Sequence, residues 1–404
     1  MTLKEKIHNE VIEITGHICN EAIESGDNQL FWNTLQIVNK EQVSYGVDES
    51  IYSGVSGILI FLSEAYKSTQ NNSILPYIRK GGEWIYMYSL ENTPENLSFY
   101  TGRTGTIFTL IQIYKLTQDK KYLQYAKGLT NKLMSSMDYN FYSYDFMNGV
   151  AGILLGLLLI YDEIKIEGLL NEINQYSKIL INGFSVTREG IIWDNNHSVI
   201  KGQCGLTHGA SGIAYILLLI GKYFKNNAFI WFAEQAFLYE NNQFKDKKSL
   251  WPDYRIADSA NIEYYLAEYK KGKIGSFTKP YYRNDSWCNG YVGIAFSRFF
   301  HNSICSSRNS KKDLDIIFSA LINDLDTYFD HDDYSFNLCH GIGGSIELLS
   351  EFQNKEIFND KEIYYAKALA IIQKQKKQYG KYLNGFCVFL RKRTPILINS
   401  DSES

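Results

Sequence analysis

Hydrophobic and polar positions divide the chain into two kinds of helical segment. After paired glycines the chain is mostly apolar, and Ile58, Phe61, Leu62 and Ala65 recur at helical spacing. The segments between these stretches, such as "KKYLQYAKGLTNKLMSSM" (120–137), are charged and amphipathic. This contrast predicts mostly buried inner helices that pack against amphipathic outer helices.

A glycine motif punctuates the buried segments. It reads polar–Gly–x–x–Gly followed by an apolar run, as in "SGVSGILIFL" and "HGASGIAYIL". Its first glycines are Gly54, Gly102, Gly149, Gly209, Gly290 and Gly341, and a degenerate seventh copy stands at Gly385. Repeats of this length are typical of one helix pair each. We predict an all-α fold, an α/α toroid of about six to seven helix pairs; an open solenoid is the alternative.

Two of the repeats are longer than the others. Their extra residues fall around 183–206 and 243–285, where β-branched, aromatic and turn-forming residues predict loops with short strands. We expect these segments to be insertions in a single domain that covers residues 1–404.

Composition narrows the class of protein. Hydrophobic residues make up 45% and charged residues 21% of the chain, which predicts an ordered globular protein. The net charge of −3 disfavours nucleic-acid binding. The longest apolar runs are too short to cross a bilayer. No signal peptide is visible, and the cysteines are scattered, so a reducing cytoplasm is expected.

The residues just before each first glycine form two columns. The nearer column is polar throughout and includes His208 and His340; the other includes Cys288 and Cys339. In a toroid these positions lie on loops at one end, so residues far apart in sequence would meet there.

These columns predict a metal site. Zinc binds thiolate and imidazole in tetrahedral geometry, so Cys288, Cys339 and His340 could supply three ligands, and His208 a fourth ligand or an acid/base. Two thiolates and one neutral imidazole would give zinc a formal charge of 2 − 2 = 0, which suits activation of a thiol better than of water. The alternative is that each residue is a buried or loop residue without catalytic use.

Asp145 lies four residues before its repeat glycine. It could reach the same end of the fold, or it could cap the helix that follows. No P-loop, dinucleotide-binding fingerprint or nucleophile elbow occurs, so nucleotide and serine-hydrolase chemistry have no support.

The motifs "YDFMNGVAGILL", "THGASGIAYILL", "SWCNGYVGIA" and "LCHGIGGSIELL" resemble those of the LanC-like lanthionine synthetase cyclases. The resemblance covers nearly the whole chain. "WPDYR" followed by "SWCNG" is most similar to the cyclase domain of class II lanthipeptide synthetases.

The resemblance implies an α/α toroid in which Cys288, Cys339 and His340 bind zinc. It also implies an acid/base role for His208 and a supporting role for Asp145. Stand-alone relatives often carry an arginine four residues before the first cysteine. Here Asn284 stands at that position and Arg283 one position earlier, and Arg283 is a candidate catalytic residue. Asn289 stands where relatives have tyrosine or histidine.

The expected activity is a zinc-dependent lanthipeptide cyclase. It would add peptide cysteine thiols to dehydroalanine or dehydrobutyrine, forming (methyl)lanthionine rings. Two alternatives remain: a zinc enzyme that adds glutathione or another thiol to electrophilic protein sites, and a non-catalytic peptide-binding scaffold with structural zinc. Expected partners are a dehydrated precursor peptide (leader plus core), a separate dehydratase and an export transporter, with a cytoplasmic location or one at the membrane surface within a biosynthetic complex.

Overall fold

The structure is a computed structural model. It describes residues 1–26, 28–39, 42–94, 96–140, 143–193, 202–245, 250–254, 267, 271, 285–329, 335–352 and 361–379. Arg283 and the degenerate repeat at Gly385 lie outside these residues.

Helices dominate the described chain, and each glycine repeat begins a pair of them. They are α1 (Leu3–Asn20), α2 (Val55–Thr69), α3 (Leu75–Glu91), α4 (Arg103–Thr117), α5 (Lys120–Ser135), α6 (Val150–Ile164), α7 (Leu169–Asn182), α8 (Ala210–Tyr223), α9 (Asn227–Asn242), α10 (Tyr291–Cys305), α11 (Arg308–Tyr328), α12 (Ile342–Glu351) and α13 (Lys361–Tyr379). Within the described residues, helices α2 to α13 follow one another along the chain as six helix pairs, one after each well-formed glycine repeat, as the repeat predicted. Among the described residues, no helix combines the length and apolar character needed to cross a bilayer.

The strands in the described part of the chain form three antiparallel two-stranded sheets. β1 (Ile23–Glu24) pairs with β2 (Leu30–Phe31), β3 (Thr34–Asn39) with β4 (Gln42–Gly46), and β5 (Phe184–Thr187) with β6 (Gly190–Trp193). The β5–β6 hairpin lies in the predicted insertion at 183–206. The sequence reasoning missed β1 to β4, and most of the insertion at 243–285 lies outside the described residues.

The residues group into two compact units. The first comprises 1–138, 152–174 and 365–404, and the second comprises 139–151 and 175–364. That residues 1–404 act as one domain stays a prediction.

In the first unit, the glycine-led helices α2 and α4 supply much of the core. Ile107, Leu110 and Ile111 of α4 are almost completely buried. The side chain of Arg103 is also buried, and its Nε donates to Glu49 Oε1 at 2.9 Å. The first turn of α4 is therefore anchored by an ion pair inside an otherwise apolar helix.

In the second unit, α8 is buried over almost its whole length, whereas its partner α9 is amphipathic. Ala233, Ala236 and Phe237 of α9 are buried, while Trp231 is 51% exposed. The predicted contrast between buried and amphipathic helices is confirmed in this pair.

The second glycine of the motif is required by space. A Cβ atom on Gly212 would lie 1.8 Å from the carbonyl oxygen of Leu206, and one on Gly293 would lie 2.0 Å from that of Trp287. In both repeats the loop residue six positions earlier packs its backbone against the first helical turn. No side chain fits there, so glycine permits the sharp entry into the helix.

Gly212→Ala should lower the free energy of unfolding by about 1–3 kcal/mol, because the new methyl group overlaps a backbone carbonyl that cannot rotate away. The matched control is Gly128→Ala in α5, where no heavy atom lies within 4 Å of the added carbon. That change should raise the free energy of unfolding by about 0.5–1 kcal/mol. Urea denaturation measures both, and equal effects of the two substitutions would contradict this role of the glycine pair.

Candidate metal centre and active site

Backbone hydrogen bonds join the loops of successive repeats within the second unit. The Phe146 N–H donates to Thr207 O at 2.9 Å, and the Thr207 N–H donates to Cys288 O at 2.8 Å. The Trp287 N–H donates to Cys339 O at 3.1 Å. The three acceptors occupy the same position, two residues before the first glycine. This ladder brings loops 50 or more residues apart in sequence side by side, as the aligned columns predicted.

The ladder places three candidate metal ligands together. His340 Nε2 lies 3.3 Å from Cys288 Sγ and 3.9 Å from Cys339 Sγ, and the ligand atoms of the three residues all lie within 4.8 Å of one another. The two cysteines are 4% exposed, whereas His340 is exposed. Two buried sulfur atoms and one imidazole nitrogen match the ligands of zinc sites that keep one position open.

The Cys288 thiol is prepared for ionisation. A hydrogen bond with the Cys339 thiol, together with those from His340 and Ser286, outweighs the opposing effect of burial and lowers the pKa of Cys288 to about 4. The sulfur is therefore a thiolate at neutral pH, the form that binds metals. On both geometry and charge, the residues fit a divalent zinc ion.

A side-chain cap orients the residue just before the first glycine in the repeats of Gly341 and Gly149. The His340 N–H donates to Asn337 Oδ1 at 2.8 Å, and the Asn148 N–H donates to Asp145 Oδ1 at 2.7 Å. Asn337 and Asp145 both stand four residues before their repeat glycine. A cap shared by these two repeats therefore fixes the loop that carries the histidine ligand.

Asp145 serves as this cap and as the partner of His208. Its Oδ1 accepts the backbone N–H groups of Met147, Asn148 and Gly149, and its Oδ2 lies 3.0 Å from His208 Nδ1. The two roles that the sequence left open thus belong to different oxygens of one carboxylate.

The negative charge on Asp145 determines which nitrogen of the neutral His208 ring carries the proton. Burial opposes ionisation, but hydrogen bonds from His208, the backbone of Asn148 and Ser143 outweigh it and lower the pKa of Asp145. An ionised carboxylate can only accept, so Nδ1 of a neutral His208 carries the proton and Nε2 carries the lone pair. The His208 side chain is 22% exposed, within reach of solvent.

A buried ion cluster holds the His208 loop and was missed by the sequence reasoning. Arg298 is fully buried; its Nη2 donates to Glu240 Oε2 at 2.7 Å and its Nε to Asp313 Oδ2 at 2.8 Å. Glu240 Oε1 accepts the Gly205 N–H at 2.8 Å, three residues before His208. The available signal was a lone arginine inside a glycine-led apolar helix, which requires buried acidic partners.

Two other residues singled out in the sequence are Arg283 and Asn289, and the structure describes only the second. Arg283 lies outside the described residues, so its role stays a prediction. Asn289 is 3% exposed; its Oδ1 accepts from Thr207 Oγ1 at 3.3 Å, and its Nδ2 has no hydrogen-bond partner within the described chain. Asn289 therefore links two loops.

Paired helices led by glycine repeats, with cysteine and histidine gathered at the preceding loops, define a helical protein with a candidate thiolate-rich metal centre. The family model described as "Lanthionine synthetase C-like protein" matches residues 45–387. The chain therefore belongs to the lanthionine synthetase C-like family, which confirms the resemblance read from its motifs.

Two curated relatives come from Lactococcus lactis subsp. lactis. The nisin biosynthesis protein NisC is 28% identical over 231 residues, covering 54% of this chain and 51% of NisC. The lacticin 481/lactococcin biosynthesis protein LcnDR2 is 24% identical over 354 residues, covering 85% of this chain and 34% of LcnDR2. The matches thus span about half of NisC and about a third of LcnDR2.

Among solved structures, nisin cyclase resembles this chain with a TM-score of 0.60 and 20% identity, covering 92% of this chain and 88% of its own. A likeness at this identity concerns the fold. It confirms the predicted class, an all-α toroid of helix pairs.

Arg298→Met should lower the free energy of unfolding by about 3–5 kcal/mol, because it leaves Glu240 and Asp313 buried without a counter-charge. A matched control is Lys165→Met, which breaks the exposed ion pair with Asp162 and should cost less than about 1 kcal/mol. Urea unfolding compares the two, and similar losses would contradict a structural role for the buried cluster.

Asp145→Asn should separate the two roles of this side chain. Asparagine keeps Oδ1 as the helix cap, so only the contribution of the charge to stability should be lost, but the amide N–H₂ no longer accepts from Nδ1 of His208. The ring should then shift toward the tautomer protonated at Nε2, which nitrogen-15 NMR of the imidazole detects. Asp145→Ala removes the cap as well and should cost a further 1–2 kcal/mol or so. An unchanged tautomer in Asp145→Asn would contradict the assignment.

Proposed function

We propose that this protein is a zinc-dependent lanthipeptide cyclase that forms (methyl)lanthionine rings. The observation that carries the proposal is the ladder of loop hydrogen bonds, which gathers three metal ligands and the His208–Asp145 pair in one unit. Membership of the lanthionine synthetase C-like family supports it, as do the names of two relatives, which are biosynthesis proteins for nisin and for lacticin 481.

Zinc would be held by Cys288, Cys339 and His340, leaving the fourth position open. Bound there, zinc would supply the positive charge that lowers the pKa of a substrate cysteine thiol. Because the two thiolates balance the charge of the ion, a coordinated sulfur would stay nucleophilic at neutral pH.

His208 would act as the acid/base group that transfers the proton during the addition. In the reaction the cysteine sulfur bonds to Cβ of dehydroalanine or dehydrobutyrine, and the electron pair of the double bond moves toward the adjacent carbonyl to form an enolate. Nε2 of His208 would accept the thiol proton, and the protonated imidazole would then donate a proton to Cα of the enolate. The thioether ring of the peptide closes without any change in the mass of the peptide.

Asp145 would keep His208 in the productive orientation. Its Oδ2 fixes the ring through Nδ1 and stabilises the imidazolium that forms when Nε2 is protonated. The pKa of Asp145 is lowered from 3.8, so this carboxylate contributes stability above its ordinary pKa. That contribution is lost as the pH falls through the lowered value.

The substrate would be a precursor peptide, leader plus core, that another enzyme has dehydrated. A separate dehydratase, an export transporter and a cytoplasmic location or one at the membrane surface stay predictions.

A hydrogen-bonded acid/base pair beside the ligands favours an enzyme over a peptide-binding scaffold. Of the two enzymatic readings, intramolecular cyclisation agrees better with relatives named for peptide biosynthesis than addition of glutathione does.

The proposal is tested on a precursor peptide that carries one cysteine and one dehydroalanine, in the presence of zinc. After reaction, the product should resist iodoacetamide alkylation at unchanged mass. His340→Ala should lose the zinc ion of this site and, with it, cyclisation. His208→Gln should keep zinc but cyclise about 100-fold more slowly or worse, because the acid/base group is gone.

The outcomes separate the alternatives. Cyclisation by a His340→Ala chain that holds no zinc at Cys288 and Cys339 would refute the proposal. A mass gain equal to glutathione, when that thiol is added, would indicate the intermolecular activity. Peptide binding with no catalysed addition, unchanged in His208→Gln, would indicate a scaffold.

A further inference from the structure

A second group of metal-binding side chains lies on α9 and α10, outside the site described above. Glu234 is on α9, and His301 and Cys305 are on α10; one ligand atom from each lies within 4.8 Å of the others. We propose that Glu234, His301 and Cys305 form a second, structural zinc site that joins helix α9 to helix α10.

The backbone already places these three residues together. His301 and Cys305 are four residues apart on one helix, so their side chains lie on the same face. Helix α9 packs against that face: the Phe237 ring lies 5.0 Å from the His301 ring, centroid to centroid, and Glu240 forms its ion pair with Arg298. The ligands therefore belong to a packed interface between two helices.

The hydrogen bonds of the His301 ring are those expected of a metal ligand: one ring nitrogen has a partner and the other is available to bind an ion. His301 is 4% exposed, and its Nδ1 lies 2.9 Å from Ser310 Oγ, which can accept the ring proton. Nε2 then carries the lone pair. It is buried without a hydrogen-bond partner within the described chain, and Glu234 Oε1 stands 3.6 Å away, beyond hydrogen-bond length. Histidine ligands commonly donate their second ring N–H to such an outer acceptor.

Charge at the site favours a divalent cation. The carboxylates of Glu234 and Asp313 both act on the ring, against the single guanidinium of Arg298. With a thiolate from Cys305 and a carboxylate from Glu234, a bound zinc ion would be neutralised, since 2 − 1 − 1 = 0.

The chemical types of the three ligand atoms indicate which metal ion the site would bind. One sulfur, one imidazole nitrogen and one carboxylate oxygen suit zinc better than calcium or magnesium, which prefer oxygen ligands alone. Glu234 is 47% exposed and Cys305 partly exposed, so the ion has a path from solvent and water can complete the tetrahedron. The structural role is inferred from the position of the ligands, which lie on two helices that pack against each other.

The test is the zinc content of the full-length chain after equilibration with zinc chloride and removal of excess metal. The wild-type chain should hold two zinc ions, and Cys305→Ser should hold one. Glu234→Gln should weaken zinc binding at this site about tenfold or more, and Ser310→Ala should do so about 10- to 100-fold by removing the acceptor for Nδ1. Glu234 is on the surface, so its substitution should leave the fold intact, as circular dichroism would verify.

Two controls make the result independent of the proposed function. Glu362→Gln, an exposed carboxylate on α13, should leave zinc binding unchanged. His340→Ala, which removes a ligand of the first site, should still bind one zinc ion and still show a zinc-dependent rise in melting temperature; Cys305→Ser in that background should abolish both. Identical zinc content and melting behaviour in the wild-type, Cys305→Ser and Glu234→Gln chains would overturn the proposal, leaving only a His301–Glu234 ion pair.

Discussion

The candidate site depends on backbone hydrogen bonds between loops that lie far apart in sequence. The Thr207 N–H reaches the carbonyl of Cys288, and the Trp287 N–H reaches the carbonyl of Cys339. Because these bonds use main-chain atoms, they fix the spacing of the loops whatever side chains the loops carry. The side chains that follow, His208 and His340, are thereby positioned by the fold itself. One scaffold can thus present a ligand in one repeat and an acid/base group in another.

Glycine makes that loop geometry possible, and buried charge keeps it in place. Gly212 and Gly293 let a loop carbonyl lie against the first turn of its helix, where a methyl group would overlap it. Arg298 then binds Glu240, which holds the Gly205 N–H on the loop that leads to His208. Burying such a cluster costs desolvation free energy, so it adds little net stability. Removing one member is nevertheless strongly destabilising, because it leaves buried charges without partners. These bonds therefore fix the position of the loop that carries His208.

Much of this could be predicted from the sequence, because the glycine repeat carries both the helix pairing and the alignment of its columns. Cys288, Cys339 and His340 could be grouped without coordinates, since they fill matching positions of two repeats. The double use of Asp145 could not, because a carboxylate four residues before the glycine serves equally as a cap. Arg298 and Glu240 could not be paired either, since no repeat register links them. The hairpins of β1 to β4 lie before Gly54, the first glycine of the repeat, so the repeat carried no information about them.

The most direct measurement is zinc-edge X-ray absorption on the zinc-loaded Glu234→Gln chain, in which the second proposed site is weakened and the first one dominates the signal. The account predicts two sulfur scatterers at about 2.3 Å and one imidazole nitrogen at about 2.0–2.1 Å. A third sulfur should join them when an excess of a cysteine-containing peptide is added. A zinc shell made only of nitrogen and oxygen, or one that ignores the peptide thiol, would contradict the assignment of Cys288, Cys339 and His340 as an open site for thiol activation.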